Sequence, residues 1–243
     1  MIGTIKHFQG SDFETVFKQL NFEIHDNPEY VFDSRIGKTH EITNASFEVE
    51  DPSTYHMLNP LINKIDYGYA ETFYDFMMSG GGIEEAQQAF KGNESALKFV
   101  QPPETDALPK NFNTLYGPRI VKQLPDVINE LASNRNSRRA TMMILNPDDH
   151  ALLPLDEKIE YPCCLNATYY IRDDALNVHV DMRSQNTAVV LQMDIYLHAR
   201  LQRHIQHELN MRFEDDIRLG KFSYHMVSAH VYERDFDYVN TWS

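Results

Sequence analysis

Between residues 165 and 209 the hydrophobic period changes once, and that change limits the folds open to the chain. Leu165 to Ile171 and Asn177 to Arg183 read as strands parted by a turn at Asp173-Asp174. In the second strand Val178, Val180 and Met182 face one way, and His179, Asp181 and Arg183 the other. From Asp194 onward the spacing is helical, with Leu197, Leu201, Ile205 and Leu209 on one face. A hairpin feeding a long amphipathic helix, without regular βαβ alternation elsewhere, indicates an α+β fold.

The remaining elements are consistent with that class. Ser11-Asp12-Phe13-Glu14 has the form of a capping box, and Phe13, Val16, Phe17 and Leu20 follow at helical spacing. His40 to Glu50 reads as a strand, and Asp66 to Met78 as a helix stopped by Ser79-Gly80-Gly81-Gly82. Ile83 to Val100 reads as helical in parts, residues 101–109 as a loop running on to Tyr116-Gly117-Pro118, and Leu124 to Ser133 as a short helix. Ala140 to Leu145 and Tyr224 to Tyr232 read as strands, Asn146 to Glu160 as an acidic loop, and the aromatic tail ends at Trp242. With 243 residues, no repeats and no interdomain linker, one domain over residues 1–243 is expected.

Several function classes are set aside by composition. A formal charge of −14 argues against nucleic-acid binding, which needs a basic face. No apolar run approaches the ~20 residues that cross a bilayer, and the N-terminus lacks the apolar core of a secretion signal. The only cysteines, Cys163 and Cys164, are adjacent and cannot staple distant segments, so a reducing cytoplasm is expected. His198, His204 and His207 lack metal-site spacing and read as exposed polar positions, so no metal is expected.

Chemistry concentrates between Tyr161 and Asp194, which hold a candidate thiol nucleophile, an Arg183-Ser184 anion grip and a lone carboxyl. Arg35 sits in a polar turn that is either plain loop or a closure over an anion. Arg138 and Arg139 are either solvated or a phosphate grip. Glu71 lies in an aromatic stripe, either solvated at its edge or held against rings with a raised pKa. Asp194 is either a helix N-cap or a hydrogen-bonding partner for a ligand.

Six blocks in order resemble the thymidylate synthase superfamily, and within it the phage deoxycytidylate hydroxymethylases. They are Arg35-x-Gly-x-Thr39, Glu71-x-x-Tyr74, Tyr116-Gly117, Asn136-Ser137-Arg138-Arg139, Pro162-Cys163 through Arg183-Ser184, and His230-x-Tyr232. The resemblance implies a mixed sheet that forms a homodimer interface, with surrounding helices. It makes Cys163 the nucleophile that adds to C6 of a pyrimidine, with Cys164 packed elsewhere. Arg35, Arg183 and Ser184, joined by Arg138 and Arg139 of the partner subunit, would hold the 5′-phosphate. His230 and Tyr232 would hold the ribose 3′-hydroxyl, Glu71 would organise water and protons, and Tyr116 would assist proton loss from C5.

Asp194 stands where thymidylate synthases carry asparagine and the cytidylate enzymes aspartate, which matches the donor and acceptor edge of cytosine. The resemblance therefore implies a dCMP 5-hydroxymethyltransferase with methylenetetrahydrofolate as co-substrate, active in nucleotide biosynthesis and, for a bacteriophage protein, in the host cytoplasm. The short stretch after Tyr232 favours water, not hydride, at the final step. Asn186 stands where the family usually has an aspartate that positions folate; either Asp181 fills that role or folate is held differently. Residues 188–192 also lack a family glycine. The alternatives are a CMP hydroxymethylase, a thymidylate synthase acting on dUMP, a catalytically silent nucleotide-binding homodimer, and a cysteine hydrolase with His179 or His230 as base.

Overall fold

The computed structural model describes residues 5–34, 36–80, 85, 88–92, 116–153, 161–213 and 216–242. Eight strands form one mixed sheet: β1 (Lys6–Gly10), β2 (Tyr30–Asp33), β3 (Lys38–Val49), β4 (Thr141–Met143), β5 (Cys164–Arg172), β6 (Ala175–Met182), β7 (Gln185–Asn186) and β8 (Arg218–Tyr232). Their order is β1-β3-β8-β6-β5-β4, with β2 paired to β3 and β7 to β8. The expected hairpin is β5–β6, antiparallel, and β6 runs parallel to β8. Asp173 and Asp174 take φ of 50° and 54°, the twist a two-residue hairpin turn needs and one that short polar side chains tolerate.

Strand alternation sorts the two faces. Phe47, Ala167, Tyr169, Val178, Val180, Phe222 and Tyr224 are buried on one face, and Phe13 of the first helix meets Phe222 edge-on at 5.0 Å. The other face carries Glu48, Thr168, His179, Asp181, Ser223 and His225 and stays half-exposed.

Five helices accompany the sheet among the described residues: α1 (Phe13–Asp26), α2 (Tyr67–Ser79), α3 (Tyr116–Ser133), α4 (Leu191–Phe213) and α5 (Phe236–Asn240). The arrangement is α+β, as the sequence indicated. The expected capping box is displaced by one residue. Asp12, not Ser11, caps α1 by accepting from the Thr15 amide at 2.8 Å, because its charge suits the helix dipole better, and Glu14 turns to the Asn59 amide. Gly80 ends α2 in the left-handed conformation, φ 63°.

Among the described residues helix α3 already includes Tyr116, eight residues before the expected Leu124, and Pro118 falls in its first described turn, where a missing N–H is tolerated. Gly117 lets α3 lie against α2, since a Cβ at that position would stand 2.7 Å from the Met77 carbonyl oxygen. The first described turn of α3 thereby carries Tyr116 into the interior. Trp242 closes the far side, 5.0 Å from Phe17 and 4.7 Å from Tyr238. The expected loop at residues 101–109 and most of the segment from Ile83 to Val100 lie outside the described residues. No described helix is long and apolar enough to cross a membrane.

Candidate active site

Strands β6 and β7 form one line along β8, interrupted at a single place. Met182 pairs with Met226 and Gln185 with Ala229, so Arg183 and Ser184 stand outside the ladder opposite Val227 and Ser228. Released from the sheet, the Arg183 guanidinium folds onto the segment that opens β5. Its Nε donates to the Pro162 carbonyl at 2.8 Å and its Nη2 to the Tyr161 carbonyl at 2.9 Å, while the Tyr161 ring lies 4.9 Å away. Nη2 also stands 3.7 Å from Cys163 Sγ. A guanidinium has five N–H donors, and the two on Nη1 face no described protein acceptor, which suits a bidentate anion. Ser184 is half-buried beside it.

The two cysteines part company at this point. Cys163 is half-buried, whereas Cys164 opens β5 fully buried, and burial pushes its thiol far up. The Cys164 amide donates to the Tyr116 hydroxyl at 3.2 Å. Burial raises Tyr116 well above the usual phenol range, so it stays protonated.

Asp194 is not an N-cap. It lies in the first turn of α4, its amide bonded to the Val190 carbonyl at 3.2 Å. Its carboxyl points inward, where Gln185 Nε2 donates to Oδ2 at 2.8 Å, and Tyr224 in turn donates to Gln185 Oε1 at 2.9 Å. Burial raises Asp194 to about 7 against the single hydrogen bond that opposes it. Neither Gln185 nor Tyr224 was singled out in the sequence; a polar atom at an inward strand position was the available signal.

His198, one turn further along α4, corrects another expectation. It is buried, not exposed, because the helix is covered on more than one face, and burial pushes it down to about 4. His204 is half-buried and His207 exposed. His230 is also buried and lowered to about 4, first by desolvation and further by the charge of Arg183. Its ring stands 5.1 Å from that of Tyr232.

Glu71 overturns the raised-pKa alternative. Arg200 Nη1 and the Tyr196 hydroxyl both donate to its Oε2, and they hold it below the usual carboxylate range, Arg200 most strongly. Arg200 itself lies 4.5 Å over the Tyr74 ring. The i, i+4 spacing of Tyr196 and Arg200 places them together on α4, a pairing visible in the sequence but not used.

Other candidates are not gathered here. Asn186 Oδ1 accepts from the Val189 amide at 3.3 Å, so its oxygen serves the turn into α4. Asp181 lies on the half-exposed sheet face, where its Oδ1 is engaged by His179 Nε2 at 3.3 Å and His225 Nδ1 at 3.1 Å. His179 shares the face of Arg183 but stands four residues, roughly 13 Å of strand, before it. Arg138 is exposed, and Arg139 forks onto Glu130 at 2.9 and 3.1 Å. The β4–β5 register sets Thr141, two residues beyond Arg139, opposite Thr168, five residues or roughly 16 Å of strand from Cys163 in the same chain. Arg35 lies outside the described residues. Among the described residues no cluster of three or more His, Cys, Asp or Glu could hold a metal.

Comparison with known proteins identifies the family. The family model described as thymidylate synthase matches residues 94–242. A thymidylate synthase of Bacillus licheniformis is 29% identical over 133 residues, 55% of this chain and 43% of that protein. One from Bacillus phage phi3T is 28% identical over 130 residues, 54% of this chain and 42% of that protein. A putative thymidylate synthase of Methanocaldococcus jannaschii is 23% identical over 207 residues, 84% of this chain and 81% of that protein. The alignments thus span less than half the length of the two longer relatives. The family match covers more than half of this chain, and the protein belongs to the thymidylate synthase family.

Proposed function

We propose that the protein is a deoxycytidylate 5-hydroxymethyltransferase. The observation that carries this reading is the buried carboxyl of Asp194, aimed inward from α4 and raised to about 7 by burial. It stands where the family resemblance places asparagine in the uracil enzymes. An ionised Asp194 accepts from the N4 amino group of cytosine and repels the O4 oxygen of uracil; a protonated one also donates to cytosine N3.

In this reading Cys163 Sγ adds to C6 of the base, and the C5–C6 π pair moves to C5. Arg183, 3.7 Å from the sulfur, stabilises its negative charge before attack. Methylenetetrahydrofolate, as co-substrate, supplies the one-carbon unit that C5 takes. Tyr116, protonated and half-buried, relays the C5 proton through water, and the electron pair left at C5 expels tetrahydrofolate from the new carbon to give an exocyclic methylene. Glu71, ionised by Arg200 and Tyr196, orders the water that adds to the exocyclic carbon, and the S–C6 bond then breaks to restore the ring.

The nucleotide phosphate takes the Nη1 donors of Arg183, with Ser184 and Arg35. The long path from Arg139 to Cys163 within one chain supports a homodimer, in which the partner subunit's Arg138 and the partner's Arg139 complete the anion site. His230 and Tyr232 hold the ribose. Val189 and Val190, 42% and 45% exposed beside Asn186, offer apolar surface to the folate ring system in place of the missing carboxylate.

A second reading, thymidylate synthase acting on dUMP, is favoured by the names of the relatives. Release of the C5 proton separates the two. With methylenetetrahydrofolate present, dCMP should lose it and dUMP should not; the reverse result sinks the cytosine reading.

A further inference from the structure

The three side chains of the Tyr224–Gln185–Asp194 relay are shut from solvent, at 0%, 2% and 8% exposure. Their hydrogen bonds can be satisfied together in one arrangement only. An ionised carboxylate accepts and cannot donate, so Gln185 Nε2 must face Asp194 Oδ2, at 2.8 Å. That leaves Gln185 Oε1 for the Tyr224 proton at 2.9 Å. The reversed amide would leave the tyrosine proton without an acceptor among the described residues.

This matters because a neutral carboxyl on its own is an ambiguous reader of bases. With the proton on one oxygen it presents the acceptor and donor that cytosine N4 and N3 require. With the proton on the other it presents the donor and acceptor that uracil O4 and N3–H require. The other groups around this carboxyl do not break the tie. Tyr116 from α3, Cys164 at the start of β5 and His198 on α4 are each kept uncharged by burial, and Cys163 lies within electrostatic reach of the same tyrosines.

We infer that Gln185, anchored by Tyr224, is a specificity-determining positioning residue: it keeps Oδ2 of Asp194 an acceptor, sends the proton to Oδ1, and so decides which base is admitted. Oδ2 retains a second lone pair for the amino group of cytosine, and Oδ1 serves N3. The inference rests on the reading of Asp194 as the base-recognising residue and adds the element that keeps a neutral Asp194 from accepting uracil.

The test is calorimetric binding of dCMP and dUMP to the wild type, Gln185→Leu and Tyr224→Phe, with Asp194→Asn as the control on the underlying reading. The wild type should favour dCMP. Gln185→Leu should lose about tenfold of that preference, mainly by gaining dUMP affinity. Tyr224→Phe keeps the ring, removes only the anchor, and should shift the ratio in the same direction; it decides the matter alone if Gln185→Leu does not fold. Unchanged ratios in both variants overturn the role of Gln185 and leave that of Asp194 standing. A wild type that favours dUMP, or an Asp194→Asn variant that keeps the dCMP preference, overturns the reading of Asp194 itself.

Discussion

Arg183 and Cys163 are locked to each other by the same short segment. The guanidinium that reaches within 3.7 Å of the sulfur is held by the carbonyls of Tyr161 and Pro162, and the Arg183 amide donates to the Cys163 carbonyl at 2.9 Å. Thiol and cation therefore move as one unit. Arg183→Lys keeps the charge but loses the fork. Alkylation of Cys163 by iodoacetamide should slow about tenfold, and dCMP affinity should fall by a similar factor. Unchanged alkylation would show that the contact does not activate the sulfur.

The neighbouring cysteines should answer differently. Cys163→Ser should abolish turnover and leave the thermal midpoint unchanged. Cys164→Ala should retain turnover and cost about 1 kcal/mol of stability, since Cys164 is fully buried at the start of β5. Thermal melts and turnover on the two variants decide it, and loss of turnover in both would remove the distinction.

Stability should carry the signature of Asp194. Its folded value of about 7 exceeds the ordinary 3.8, so the native state keeps a proton that the unfolded chain loses. Stability from this group is present below about 4 and is lost as pH rises toward 7. Asp194→Asn should therefore melt higher than the wild type at pH 8, by an amount on the order of a few kcal/mol. The gap should narrow toward pH 5 and close below about 4. A gap independent of pH would contradict a buried, raised carboxyl.

Much of this site was legible before any coordinates. Cys163, Arg183-Ser184, Asp194 and His230-x-Tyr232 were visible because they sit on short local motifs whose parity or spacing survives folding. What stayed hidden depends on long-range packing. Gln185 and Tyr224 meet across two strands, and Arg200 reaches Glu71 from a helix 129 positions away. The error over His198 has the same root. A histidine on a helix covered from several sides cannot be told from an exposed one by period alone. The part of α3 before Leu124 was missed because Pro118 reads as a breaker unless it falls in a first turn.

Glu71 gives a further prediction. Glu71→Gln should lower turnover about a hundredfold with dCMP binding retained. Arg200→Leu removes the main cause of the low Glu71 value, so the acid limb of the rate profile should move to higher pH. An acid limb that stays in place would assign it to another group.

A shared site predicts complementation. Cys163→Ser and the Arg138→Ala/Arg139→Ala double variant should each be inactive. Mixed and reassociated, they should recover up to about one quarter of wild-type turnover, because half the dimers carry one complete site. No recovery, with heterodimers demonstrated by native mass spectrometry, would place the arginines outside the site.

The central claim is tested most directly by weighing products. The protein is incubated with methylenetetrahydrofolate and dCMP, CMP or dUMP in turn, and each nucleotide is analysed by mass spectrometry. A dCMP product heavier by CH2O, with tetrahydrofolate left in its reduced form and dUMP unchanged, is the expected result. Methylated dUMP with dihydrofolate formed, or no change in any nucleotide, would contradict it.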